Sequence, residues 1–329
     1  MATQKDIARE AGVSNSLVSY YLTGSKSARM SEETRKRIDA AIRKLNYRPN
    51  RLARSLRTGK SKSIGMLITQ ISNSYFSHLA EEALQEARRL DYSLIPALTS
   101  YDDQDIRASL EFLMRNRIDA LFSCMGVRNF LDCVDSIPIF RPVYAEPGIL
   151  TLRSDVEKAF VDAFLFLKSR GHSRVFGYYD QRMPWNESLR SGAEKTGMAL
   201  DHQRIFCPED YEAVYRWIAA NRPGAIFLNG RTLDQVLELL RTLEGYRPDL
   251  IIGVDEFHRY LESPLIVGGI QTSTVEMARR GIQILIERIE NPELPREGIL
   301  KISPGKFVDY TRQEIPMMSS VEESAEKFR

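Results

Sequence analysis

The residues best suited to chemistry lie near the start of the chain. Within Asn15–Leu22, a helical spacing leaves Asn15, Ser16, Ser19 and Tyr20 on or near an outer face. Amides and hydroxyls on such a face suit hydrogen bonding to base edges in a DNA major groove. Ser14 stands just before them, where its hydroxyl and the unpaired amides of a helix start would hold a phosphate. A second set follows at Asn50-Arg51-Leu52-Ala53-Arg54-Ser55-Leu56-Arg57. Asn50 can cap a helix too short to persist in water. Its Arg51, Arg54 and Arg57 form one basic stripe, with Leu52 and Leu56 along another. That pattern fits either a segment that folds on DNA and wedges an apolar side chain between base steps, or a solvated linker. A third set, Asn73/Tyr75/Phe76, Asn229/Gly230 and Asp255/Glu256, falls at the ends of apolar runs.

Catalytic and metal signatures are missing. No GxGxxG follows a strand pattern, and neither GxxxxGK[ST] nor HExxH occurs. His78, His172, His202 and His258 show no ligand spacing, and His172, after Gly171, reads as a hydrogen-bonded turn residue. Asp255 fits three roles: a base, an acceptor for a polyhydroxy ligand, or a cap. Cys124, Cys133 and Cys207 are odd in number and far apart, which favours buried thiols over a disulfide framework or a zinc site. Neither a cofactor, a metal nor an enzymatic activity is expected.

The elements that must position these groups follow from caps and periodicity. Thr3 and Asp6 make a capping-box start, Ile7, Ala8 and Ala11 share a face, and Gly12 supplies a left-handed stop. Ser31 caps a third helix, Glu32–Leu45, with Ile38, Ala41, Ile42 and Leu45 at core spacing and Asn46 as its stop. Short helices about a Gly turn form a helix-turn-helix, with a small protein-binding bundle as the other reading. From Ser63 onward, strand patterns (64–68, 94–98, 120–124, 174–179, 225–229, 250–254) alternate with helical ones (74–90, 103–116, 129–134, 156–169, 186–196, 233–243, 275–290). Alternation of this kind predicts two doubly wound parallel-sheet lobes, whose ligands bind beyond the carboxyl ends of the strands.

Charge divides the chain the same way. Of 46 Lys+Arg and 44 Asp+Glu, residues 1–60 carry 14 and 5, which leaves 32 and 39 for the rest. A basic head on an acidic body points to a polyanion partner. No stretch nears the roughly 20 apolar residues of a membrane span. The polar start MATQKDIARE lacks a secretory core, so a cytoplasmic protein with no membrane partner is expected.

DIAREAGVSNSLVS, LNYRPNRLARSLRTG and IGMLI, in that order, resemble the lac repressor family of bacterial transcription regulators. ISNSYF, Asp155 ahead of Gly171-His172, RPGAIFLN and IIGVDE extend the likeness from Thr3 to about Thr311. The resemblance implies an all-α helix-turn-helix head plus an α/β body of periplasmic-binding-protein type. The segments are 1–48 for the head, 49–62 for a hinge helix and linker, 63–315 for the two-lobed effector-binding and dimerisation domain, and 316–329 for a tail. It implies a homodimer on a pseudo-palindromic operator in double-stranded DNA, with a small-molecule effector, a sugar or related metabolite, between the lobes. By position, base reading falls to Asn15, Ser16 and Tyr20, phosphate contacts to Thr3, Ser14 and Ser19, and the minor-groove wedge to Leu56 beside Ala53. The effector site falls to Asn73, Tyr75, Phe76, Asp155, Leu189, Asn229 and Asp255. Several positions depart from the family: Tyr20 where many members have Arg, Leu17 for Thr, Leu189 for Arg, Gly230 for Asp, and Val275 for Gln. The tail lacks a sustained leucine heptad, so a tetramer zipper is not expected. A periplasmic-type solute-binding protein and a regulator controlled by a protein partner are the rival readings.

Overall fold

A computed structural model describes residues 2–23, 30–47, 59–69, 71, 74–134, 136–143, 145–180, 185–205, 211–228, 230–252 and 263–312. The chain divides into two compact units, Met1–Ser61 and Lys62–Arg329.

The first unit holds α1 (Gln4–Ala11), α2 (Asn15–Thr23) and α3 (Glu32–Lys44). Ile7, Ala8, Ala11, Val18, Ile38 and Ala41 make its core, ringed by Val13, Tyr21, Leu22, Ile42, Leu45 and Tyr47. Full burial of one such aliphatic side chain is worth about 1.5–3 kcal/mol. A core this small therefore leans on its helix caps. Ser31 caps α3 by accepting from the Thr34 N–H, and the chain leaves α3 through Asn46 at φ 45°.

The second unit contains two six-stranded sheets. The first lobe's sheet is built from β1 (Ser63–Ile68), β2 (Ser93–Leu98), β3 (Ala120–Ser123), β4 (Ile139–Pro142), β5 (Leu150–Ser154) and, from far along the chain, β11 (Gly298–Ile302). Its order is β11-β5-β4-β3-β1-β2, all parallel. The second lobe uses β6 (Arg174–Asp180), β7 (Ala199–Ile205), β8 (Ala225–Leu228), β9 (Asp249–Ile252), β10 (Ile266–Gln271) and β12 (Lys306–Asp309). Here β12-β10-β9-β8-β6-β7 run parallel except for antiparallel β12.

Helices α4 (Ser74–Arg89), α5 (Asp103–Arg115) and the short α6 (Leu131–Val134) belong to the first lobe. The second lobe carries α7 (Glu157–Ser169), α8 (Asn186–Thr196), α9 (Tyr211–Asn221) and α10 (Gly230–Thr242). The final helix, α11 (Thr274–Glu290), leaves β10 of the second lobe and packs into the first. Its Gly281 lies so close to the sheet that a Cβ there would stand 2.5 Å from the Phe140 ring and 2.8 Å from Phe122. Only a residue without a side chain lets a helix approach this closely.

Among the described residues, three chain passages join the lobes, at residues 154–157, 271–274 and 302–306, with hydrogen bonds between them. Ser154 Oγ donates to the Ser303 carbonyl at 2.7 Å, and the Gly305 N–H donates to the Asp155 carbonyl at 2.8 Å. The Ser303 N–H reaches both carboxylate oxygens of Glu276 at 3.3 Å.

The alternating pattern located most elements within a residue or two, but β4, β5, β7, α9, β10, β11 and β12 went unread. In the second lobe, His172 behaves as its sequence suggested. Its Nε2 lies 3.0 Å from Asp249 Oδ2, and Arg170 Nη2 donates to Oδ1 of the same carboxylate at 3.0 Å.

Between α4 and α11, Glu86 is 4% exposed and accepts hydrogen bonds from Arg89 (2.6 Å to Oε1) and Gln283 (2.7 Å). The Arg89 hydrogen bond, opposed by burial and aided by Gln283, lowers its pKa to about 2. A depressed carboxylate pKa stabilises the fold above the unfolded value and loses that contribution as protons bind to the native state. Urea titrations should therefore show part of the stability falling away between about pH 4.5 and 2. Glu86→Gln should cost about 2 kcal/mol at pH 7 and flatten that part of the acid limb.

Candidate nucleic-acid interface

Reciprocal hydrogen bonds set the entry to α1. The Thr3 hydroxyl and N–H both donate to Asp6 Oδ2, at 2.7 and 2.9 Å, and the Asp6 N–H donates back to Thr3 Oγ1 at 3.3 Å. The side-chain hydrogen bond from Thr3 is the chief reason that the Asp6 pKa lies below its usual range. Gly12 then takes φ 62°, and its N–H closes onto Ala8 and Arg9. This left-handed residue makes the turn between α1 and α2, where a side chain would strain the backbone. Ser14 caps α2 by accepting from the Leu17 N–H at 3.2 Å.

Two contacts fix how α2 is rotated. Val18 is fully buried in the head core, and the Tyr21 hydroxyl donates to Asp39 Oδ1 on α3. That hydrogen bond, with partial burial, raises the tyrosine pKa. With Val18 and Tyr21 turned inward, Asn15 and Ser16 are exposed, Ser19 is half-buried, and Tyr20 is 47% exposed. Leu17 is half-buried and lies outside the core cluster. The sequence Asn15–Thr23, NSLVSYYLT, contains no charged residue. Positive charge stands on the other two helices instead, at exposed Lys5 and Arg9 of α1 and Arg35, Lys36, Arg37 and Arg43 of α3.

Among the sequence-derived contacts, Thr3, Ser14, Asn15, Ser16, Ser19 and Tyr20 are all exposed or half-exposed. Thr3 and Ser14 also do local work as caps. Asn50, Arg51, Ala53, Arg54 and Leu56 lie outside the described residues.

The candidate ligand residues are more scattered. Tyr75 and Phe76 occupy the first turn of α4, half-buried against the first-lobe core, with their rings edge-on at 5.3 Å and 67°. Asp155 is exposed at a lobe passage, where its Oδ1 accepts from the Glu157 N–H at 3.1 Å. Leu189 corrects the sequence expectation. Its side chain is 0% exposed among Phe160, Phe164, Trp185 and Phe227, so it is part of the second-lobe core rather than a wall open to ligand. Asn73, Asn229 and Asp255 lie outside the described residues. The sequence reading missed a pair formed by Arg141 of β4 and Glu146, between β4 and β5, 13% and 15% exposed. Gly126 leaves room for the pair, since a Cβ there would stand 2.8 Å from Glu146 Oε1. A lone Arg in a four-residue strand carries no periodic signal that would have revealed it.

Comparison with known proteins gives the family. The signature of the bacterial regulatory proteins of the lacI family matches residues 3–50. The ribose operon repressor of Escherichia coli (strain K12) is 30% identical over 335 residues, covering 92% of this chain and 98% of that one. The chain belongs to the lacI family. As a member it is a DNA-binding transcriptional regulator. The HTH-type transcriptional repressor PurR of Mannheimia succiniciproducens is 29% identical, covering 91% and 95% of the two chains. Among solved structures, the lac repressor dimer bound to operator and the anti-inducer ONPF superposes with a TM-score of 0.70 at 15% identity. That match covers 94% of this chain and 98% of that one, and it shows the shared fold of this lacI-family chain. No helix among the described residues is long and apolar enough to cross a membrane.

In this lacI-family head, the Thr3 cap carries a measurable load. Thr3→Ala should destabilise α1 by about 1 kcal/mol. Hydrogen exchange at the α1 amides should then run roughly fivefold faster, since each 1.4 kcal/mol is a factor of ten.

Proposed function

We propose that this chain is a homodimeric repressor. It seats α2 in the major groove of each half of a pseudo-palindromic operator and changes its grip when a neutral, polyhydroxylated small molecule binds the body. The observation that carries the DNA reading is the rotation of α2, which buries Val18 and ties Tyr21 to Asp39 while Asn15, Ser16 and Tyr20 face outward. Ser14 and Ser19 flank that face and serve the phosphates, and the amides at the start of α1 beside Thr3 do the same. Basic residues of α1 and α3 supply the charge that releases counterions on binding. Asn50, Arg51 and Arg54 extend this grip through the hinge, with Leu56 beside Ala53 prying the minor groove open.

The effector reading rests on chemistry at the strand ends. The Tyr75–Phe76 pair offers apolar ring surface to the C–H face of a sugar, and Asp155 offers a carboxylate to hydroxyl donors. Asn73, Asn229 and Asp255 add polar groups of the same kind. None of Tyr75, Phe76 and Asp155 is the cation that an anionic ligand would need. Relatives point the same way: a ribose operon repressor is 30% identical, and a regulator from Enterococcus faecium of like fold holds bound ribose. A ligand that favours one lobe arrangement shifts operator affinity by its difference in affinity for the two states. Such a protein works where the DNA is, in the cytoplasm.

Operators selected from genomic DNA should bind with an affinity that falls roughly 10³-fold or more between 50 and 200 mM salt. Leu56→Ala should weaken selected sites much more than random DNA, and equal losses on both would remove the wedge role. In thermal-shift assays on the full chain, a saturating neutral sugar such as D-ribose or cellobiose should stabilise by about 2.7 kcal/mol at 100 times its Kd. Fructose 1-phosphate should leave the melting temperature unchanged.

A further inference from the structure

The recognition helix also narrows what it can read. Base edges in the major groove are told apart by matched side chains: Arg or Lys on guanine, Asp or Glu on the cytosine amino group, Asn or Gln on adenine, and apolar groups on the thymine methyl. Of these, α2 presents outward a single amide, at Asn15, and a single large ring, at Tyr20. It has no side chain of the guanine or cytosine type, because Asn15–Thr23 carries no charge of either sign. Ser16 and Ser19 add hydroxyls, which pair with any base and so choose none. Asn15 sits in the first turn, the part of a recognition helix that reaches base edges. Tyr20 lies five residues on, about 140° further round the helix, and is also exposed, so the two side chains address different base pairs.

Resting on the reading of α2 as the major-groove helix, we infer that the base pairs beneath it are A·T pairs. Asn15 pairs with adenine N6 and N7, and the Tyr20 ring lies against a thymine methyl. Guanine and cytosine preferences elsewhere in the operator then come from other segments. Replacing Tyr20 with arginine would exchange methyl contact for guanine hydrogen bonds.

The test starts from a selected operator bound by the full-length protein, with Asn15→Ala, Tyr20→Ala and Tyr20→Phe as variants. Base pairs whose preference changes in Asn15→Ala or Tyr20→Ala define the pairs under α2. These pairs should be A·T. Replacing their adenines by 7-deazaadenine should weaken wild-type binding, within the roughly 5- to 150-fold range of a lost bidentate pair. Replacing thymine by uracil should cost about fourfold per methyl removed, and Tyr20→Ala should abolish that cost. Tyr20→Phe should retain it, because the ring makes the contact. If a substitution unfolds the head, 7-deazaadenine and uracil placed one position at a time across the whole operator, with wild-type protein, locate the contacted adenines and thymine methyls instead. The inference is overturned if the pairs that respond are G·C, if thymine and uracil bind alike, or if Tyr20→Phe behaves as Tyr20→Ala. Failure to select any operator would instead overturn the DNA-binding reading beneath it.

Discussion

The packing of α11 on the first-lobe sheet is the constraint on which the body depends. Parallel strands are buried on both faces and need helices to cover them. In the first lobe, α5 covers one face, and the other is shared by α4, which follows β1 directly, and α11, which arrives only after most of the second lobe has been made. Gly281 sets the depth of that contact, with Phe122 and Phe140 meeting edge-on beneath it. Since α11 continues from β10, any change in the angle between the lobes is felt at the passage residues 271–274, next to the Glu276–Ser303 hydrogen bonds. The lobes are thus separate cores whose relative position is carried by short, hydrogen-bonded backbone rather than by one shared apolar interior.

The head solves a different problem with far fewer residues. Local devices, the Thr3–Asp6 box, the Gly12 turn and the Ser14 and Ser31 caps, define its helices. Two longer-range contacts, Val18 in the core and Tyr21 on Asp39, then decide which face of α2 is presented. On the proposed reading, affinity and discrimination are divided between residue types. Charge on α1 and α3 draws in the duplex, and the uncharged face of α2 chooses among sequences.

Much of this was legible in the sequence because local rules governed it. The caps, the Gly turn and the core spacing of Ile7, Ala8, Ile38 and Ala41 needed no tertiary information. The strands that went unread failed for tertiary reasons. In β10, IVGGIQ, two glycines weaken any strand signal, yet the packing uses them: Cβ atoms at Gly268 and Gly269 would stand 2.6 Å from the Phe307 ring and 2.8 Å from the Tyr310 hydroxyl. The edge strand β7, ALDHQRI, mixes polar and apolar residues, and β11 is mostly exposed, so neither shows a buried run. Leu189 illustrates the same limit at the candidate site. Its position in the chain marked it for ligand contact, and only the packing of α8 against α7 revealed it as core.

The wandering path of the first lobe has a consequence for synthesis. A ribosome makes β1 at residues 63–68 but completes the sheet only with β11 at 298–302. At about 5–20 residues per second, those strands emerge on the order of tens of seconds apart. Throughout that interval the nascent first lobe lacks a helical cover and its last strand, whereas α7 to α10 and most of their sheet are contiguous and can condense. The order of maturation is therefore inverted relative to the order of translation. The earlier-made lobe waits on the later one, and it is the half of the body for which a chaperone would be needed longest.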